Sequence, residues 1–160
     1  MDKDITTHKK IINYLESKSV TYQSLSHHET PTCDESARAR GEDIRIGGKT
    51  LLLKDKKDYR LFVLSAAETF NSQKARKILQ SQKLRFANKE ELWELARVKS
   101  GALPPFGRPI FPLDLYIDYS VLNNDKIAFN AGLLTCSFIM NTQDWYETVK
   151  NSAKVVNFIK

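Results

Sequence analysis

The chain has 160 residues, 41% hydrophobic and 28% charged, the composition of a globular chain rather than a disordered or fibrous one. That length fits one domain, residues 1–160, with a core large enough to fold alone, and no segment approaches the roughly 20 consecutive apolar residues of a membrane span. A net charge of +6 makes a phosphate-bearing partner an option without requiring one.

The opening segment MDKDITTHKK is polar and lacks the apolar stretch of a secretory signal, so the chain reads as cytoplasmic. Cys33 and Cys136 are then expected to stay free thiols. Ile5, His8, Ile11, Ile12 and Leu15 recur at helical spacing and predict a first amphipathic helix. An extended segment follows from Val20 to about Ser26. Thr32 and Glu35 have capping-box spacing, which predicts a short helix through Ala37 and Ala39 ending at Gly41. The apolar runs 46–54 and 59–65, separated by DKKD, predict a β-hairpin. Asn71 or Ser72 then caps a basic helix with Ala75, Ile78 and Leu79 on its buried side. A short strand near residues 84–86 precedes a second capping pair, Asn88 with Glu91, and a helix with Leu92, Leu95 and Ala96 inward. SGALPPFGRP carries too much Gly and Pro for a helix or a central strand. Residues 113–117, 127–129 and 135–140 read as strands, Asn141 or Thr142 opens a last helix, and the tail 155–159 is apolar enough to pack back. Short helices among strands, several joined as hairpins, give the α+β class: a single domain with a mixed central β-sheet flanked by short helices.

Common catalytic signatures are absent. The sequence has no GxSxG, P-loop, GxGxxG, HExxH or CxxC, and His27, His28 and Cys33 lack zinc-ligand spacing, so neither metal nor cofactor is expected. A thiol nucleophile, Cys33 or Cys136 with His27 or His28, is permitted by the residues, although small buried cysteines are far commoner. An enzyme built from this sequence would use water as its nucleophile and backbone groups for much of its catalysis. Two segments could serve that end. Lys49 in IGGKTLLLK shares a strand face with Leu51 and Leu53, so its ammonium either snorkels into solvent or enters a pocket. Gly47 and Gly48 before it allow close backbone approach. Gly101-Ala102-Leu103-Pro104-Pro105 is a GxxxP loop in which adjacent prolines stiffen the chain. The amides of Gly101, Ala102 and Leu103 are then donors for a developing oxyanion; taken alone, the loop is an ordinary proline-bracketed turn.

The order of HHETPTCDESARARG, GGKTLLLK, SGALPPFGRPIF and FNAGLLTCSFIM behind an N-terminal helix resembles the YbaK/prolyl-tRNA-synthetase-associated (INS-like) deacylase family over about residues 5–150, nearest its free-standing, ProX-like members. The resemblance implies a mixed α+β fold and hydrolysis of mischarged aminoacyl-tRNA carrying a small amino acid, after release from a synthetase. It implies that Lys49 is the family's strand lysine, needed for activity, and that Gly101 to Pro105 form the loop holding the substrate's carbonyl and terminal adenosine. His28, Ala102, Leu103 and Phe129 are implied as substrate-binding. Several relatives place a histidine after the late-strand aromatic; here Asn130 follows Phe129, which bears on amino-acid specificity more than on the reaction. The implied partners are the acceptor end of tRNA and, optionally, an aminoacyl-tRNA synthetase, with no membrane.

Lys74, Arg76, Lys77, Lys83 and Arg85 fall within twelve positions that contain no acid. As a tRNA footprint this run suits the implied substrate; as an isolated feature it is a solvated helix face. Two rival functions stay open. One is a non-catalytic tRNA- or synthetase-binding module of the same fold, and the other is a hydrolase of a different activated acyl ester.

Overall fold

The computed structural model describes residues 5–30 and 32–160; residues 1–4, the start of the polar opening segment, and Pro31 of HHETPTCDESARARG lie outside it. Side-chain caps set the helix starts. Thr6 accepts the N–H of Lys9 and opens α1 (Thr7–Ser17), which buries Ile11 and Leu15 completely. Thr32 accepts the N–H of Glu35 at the head of α2 (Cys33–Arg40), and Gly41 closes that helix. Asn71, rather than Ser72, caps α3 (Ser72–Leu79). Asn88 and Glu91 form the reciprocal capping box of α4 (Lys89–Ala96). Asp118 caps a one-turn helix α5 (Tyr119–Leu122) that apolar periodicity does not signal, and Asn141 caps α6 (Thr142–Val149).

The strands are β1 (Gln23–Ser26), β2 (Gly48–Asp55), β3 (Tyr59–Ser65), β4 (Leu84–Phe86), β5 (Leu115–Asp118), β6 (Lys126–Leu133), β7 (Cys136–Asn141) and β8 (Ala153–Val156). The α+β class is as expected, but the strands divide between two sheets, β1-β7-β6 and β4-β2-β3-β5-β8. Periodicity within a strand says nothing of its partners, so this division is a product of long-range pairing. β2 and β3 are the expected hairpin, antiparallel from Gly48↔Ser65 to Lys54↔Tyr59. β5 runs parallel to both β3 and β8. The tail therefore does more than pack back: it supplies an edge strand and then buries Phe158 fully.

Alternation along β2 and β3 sends side chains to opposite faces of the larger sheet. Leu52, Leu61 and Val63 meet Ile127, Phe129 and Phe138 of the smaller sheet in the main core, joined by Trp145, Ile11 and Leu15. Leu53, Phe62 and Leu64 meet Ala75 of α3, Tyr116 and Phe158 in a smaller cluster on the other side. No helix among the described residues is long and apolar enough to cross a membrane.

Candidate active site

β4 pairs with β2 only at Leu53, Lys54 and Asp55. The first half of β2 is consequently an open sheet edge, and a cavity of about 360 Å³ lies along it. Its lining brings together Lys49 and Thr50 of β2, Arg40 of α2, Gly101 and Leu103 of the GxxxP loop, and Asn130 of β6. Gly48 sets how closely β2 approaches β6: a Cβ there would meet Ile127 Cδ1 at 2.9 Å.

Lys49 stands opposite Leu64 in the ladder, and its Nζ donates to the carbonyl of Glu68 at 3.1 Å. One of its three ammonium donors is thus committed, which holds the charge beside the cavity. No carboxylate forms an ion pair with it among the described residues.

Gly101 has φ of +90°, a conformation that residues with a Cβ rarely adopt. Its carbonyl accepts from Asn130 Nδ2 at 2.9 Å, and the next carbonyl, Ala102, accepts the Gly132 N–H at 3.1 Å. The N–H of Ala102 is spent on the Lys99 carbonyl at 3.0 Å, so the expected cluster of three donors contracts to Gly101 and Leu103. Those two amides have no acceptor among the described residues. Peptide planarity turns the Leu103 N–H away from the Ala102 carbonyl and so away from Gly132. Pro105 is buried outside the lining, where its carbonyl accepts Trp145 Nε1 at 2.9 Å and anchors the loop to α6.

Asn130 is the hub behind the loop. Its Oδ1 accepts from Arg40 Nη2 at 3.2 Å and from the Ser137 hydroxyl at 3.1 Å. Arg40 Nε donates to the same hydroxyl at 2.9 Å, and His27 Nε2 lies 2.8 Å from it. Burial pushes the Arg40 guanidinium down to about 10, still charged at neutral pH. Arg40 and Thr50 carry no sequence signal of their own. Arg40 reads as a helix-surface charge in DESARARG until the cavity encloses it, and Thr50 reads as one strand residue among apolar ones. Thr50 Oγ1 is shielded from solvent with no hydrogen-bond partner among the described residues.

The remaining sequence candidates fall elsewhere. His28 is exposed and outside the lining. Phe129 is buried in the main core against Phe106 and Phe138, because its side chain and that of Asn130 point to opposite faces of β6. Cys33 lines the cavity but no histidine does, and Cys136 is buried with its Sγ 3.6 Å from Ser24 Oγ; no thiol–imidazole pair forms among the described residues. Among the described residues no cluster of His, Cys, Asp or Glu is placed to hold a metal ion.

The basic run is also redistributed. Lys74 Nζ donates to Asn157 Oδ1 at 3.1 Å and to the Ile159 carbonyl at 2.9 Å, clamping the tail. Arg85 is ion-paired with Glu91, which lies beyond the acid-free run in sequence but beside it in space. Arg76, Lys77 and Lys83 form no ion pair among the described residues. Lys83 joins Lys56, Lys57 and Arg60 around a second cavity of about 470 Å³. The two lysines of the DKKD turn thus extend a basic surface that the sequence pattern confines to residues 74–85.

A model of the aminoacyl-tRNA editing domain matches residues 27–148. The chain belongs to the aminoacyl-tRNA editing domain family. Its reaction is hydrolysis of aminoacyl-tRNA, the activity that the family resemblance implies. Over 164 aligned residues this editing domain is 28% identical to the multifunctional Ser/Thr-tRNA deacylase ProXp-y of Escherichia coli K12, covering 99% of this chain and 96% of that protein. Its fold matches a solved structure described as a candidate trans-editing enzyme for prolyl-tRNA synthetase, with a TM-score of 0.82, 24% identity and coverage of 96% and 97% of the two chains. A hypothetical protein, APE2540, matches with a TM-score of 0.83 at 19% identity, covering 94% of this chain and 99% of that one.

Proposed function

We propose that this editing domain acts in trans on mischarged tRNA bearing a small amino acid, with serine and threonine as the first candidates. The convergence of Lys49, Gly101, Leu103 and Asn130 on one cavity is the observation that carries this reading. The E. coli relative's name supplies the candidate amino acids. Residues 1–160 act as one domain, in the cytoplasm where charged tRNA circulates, and a synthetase is an optional docking partner.

An aminoacyl ester is already activated, so the site needs to orient water and stabilise charge rather than supply a strong nucleophile. The N–H groups of Gly101 and Leu103 polarise the ester carbonyl and take the oxyanion that forms when water adds. The C–O bond to the ribose then breaks, and the leaving oxygen takes up a proton. Lys49, held on the Glu68 carbonyl, presents its remaining donors to the phosphate or ribose of the acceptor end. Asn130 acts through the loop by fixing the Gly101 peptide, with Arg40 and Ser137 fixing Asn130. The pocket excludes large side chains sterically; a single methylene separates small ones by only about 1–3 kcal/mol.

A panel of tRNAs charged with Ser, Thr, Ala, Cys and Pro, incubated with the purified chain, tests this reading. Release of Ser or Thr well above the spontaneous rate, with Pro retained, is the expected outcome. Binding of uncharged tRNA with no release from any member would instead make the chain a non-catalytic module. Release from small aminoacyl esters but from none of the tRNAs would indicate a different acyl-ester hydrolase.

A further inference from the structure

Phe86 is a large aromatic left 58% exposed at the rim of the active-site cavity, whose lining it joins. Its position follows from the register. Phe86 of β4 pairs with Leu53 of β2, and directly paired residues project from the same face of a sheet. Lys49 and Leu51 share that face by the period of two. A cation and an apolar step on β2 and an exposed ring on the last residue of β4 therefore share one face of the sheet. Lys49 and Leu53 are four residues apart, roughly 13 Å along the strand. The ring also has support beneath it: Phe70 meets it edge-on, centroids 5.9 Å apart and planes at 61°. Leu92 of α4 also lines the cavity.

We infer that Phe86 is the stacking platform for the terminal adenine of the tRNA acceptor end. This rests on the proposed deacylase reading, which puts the aminoacyl ester in the cavity and a phosphate or ribose on Lys49. The unpaired 3′ base is then attached to the same ribose as the ester and must leave the cavity beside it. An exposed aromatic face at that exit gives an unstacked base what water does not, and stacking of single-stranded bases on aromatic side chains is tolerant of base identity. Phe86 thereby contributes to binding, while the Gly101 loop supplies the chemistry.

The test uses uncharged tRNA whose terminal adenine is replaced by 2-aminopurine, a base whose fluorescence is quenched on stacking. The wild-type chain should quench the probe on binding. Phe86→Leu, which keeps an apolar side chain without a ring, should lose most of that quench and weaken binding by roughly 5- to 100-fold. Phe86→Trp should retain both. With charged tRNA the Phe86→Leu change should raise KM while kcat stays within about threefold, with an unchanged thermal midpoint. Wild-type quench and affinity in Phe86→Leu would overturn the assignment, and equal loss in Phe86→Leu and Phe86→Trp would reduce Phe86 to a packing residue, which also overturns it. Because the probe carries no ester, quench without hydrolysis by the wild type removes the deacylase reading but leaves the base platform standing.

Discussion

Lys49 is ambiguous in sequence between solvent and pocket because a strand's period of two fixes a face but not what lies over it. The Glu68 carbonyl, 19 residues along the chain, settles where its ammonium rests. Lys49→Ala should lower kcat/KM on a mischarged tRNA by about 10- to 100-fold, the scale of one hydrogen bond from a charged group to the substrate, with circular dichroism unchanged. Full activity in the folded variant would return Lys49 to the surface. Thr50 makes a different prediction. Its buried hydroxyl has no partner among the described residues, so the isosteric Thr50→Val change should be neutral or stabilising, by up to about 1 kcal/mol in chemical denaturation. A clear loss of stability would reveal a bond that the hydroxyl makes. Asn130 differs again, since Gly101, Arg40 and Ser137 all depend on it. Neither Thr50 nor Arg40 is legible in the sequence, because the roles of both arise from neighbours distant along the chain.

Among the elements, capping pairs are the most legible feature: Thr32 with Glu35 and Asn88 with Glu91 are local chemistry and appear where their spacing puts them. The GxxxP loop is legible as a rigid donor segment but not in detail. Ala102 spends its amide on Lys99, and Pro105 serves as an anchor for Trp145, bonds that no local pattern announces. The Trp145 bond ties the loop to α6, so Trp145→Phe should leave the Pro105 carbonyl unpaired in the core. The expected cost is about 1–3 kcal/mol, together with a fall in kcat larger than any rise in KM as the loop loosens. A variant with unchanged kcat would show that the loop holds its shape without α6.

For the whole molecule, acid stability follows from two carboxylates. Glu91 is held well below the usual carboxylate range by Arg85 first, then by the Tyr59 hydroxyl and the Asn88 N–H. For Asp55 burial acts upward, but the N–H groups of Asp58 and Lys57 and the Arg60 guanidinium outweigh it and bring it below its ordinary value. A folded pKa below the unfolded one means that protons bind the unfolded chain more readily. The stabilisation is therefore complete above about pH 4.5 and is lost as pH falls through the depressed values. Thermal midpoints should be flat through neutral pH and drop on acidification, and Glu91→Gln should reduce that drop; identical acid profiles for variant and wild type would exclude Glu91 as its source.

The charge run is legible only as composition. Folding removes Lys74 to the tail and Arg85 to Glu91 and brings in Lys56 and Lys57. A footprint of Lys56, Lys57, Lys77 and Lys83 predicts that tRNA affinity falls with salt. Reversing Lys77 and Lys83 should flatten the log–log slope by roughly 0.7–0.9 for each phosphate that is no longer neutralised. An unchanged slope would make the run a solvated face. The minimal substrate 3′-seryl-adenosine 5′-phosphate carries the ester, the terminal base and one phosphate for Lys49, without any other part of the tRNA. The rate of serine release from it, by the wild-type chain and by Lys49→Ala, tests most directly whether this cavity performs the deacylation. Release above spontaneous hydrolysis, largely lost in the folded variant, is expected; equal rates for the two proteins would mean that the reaction does not take place beside Lys49.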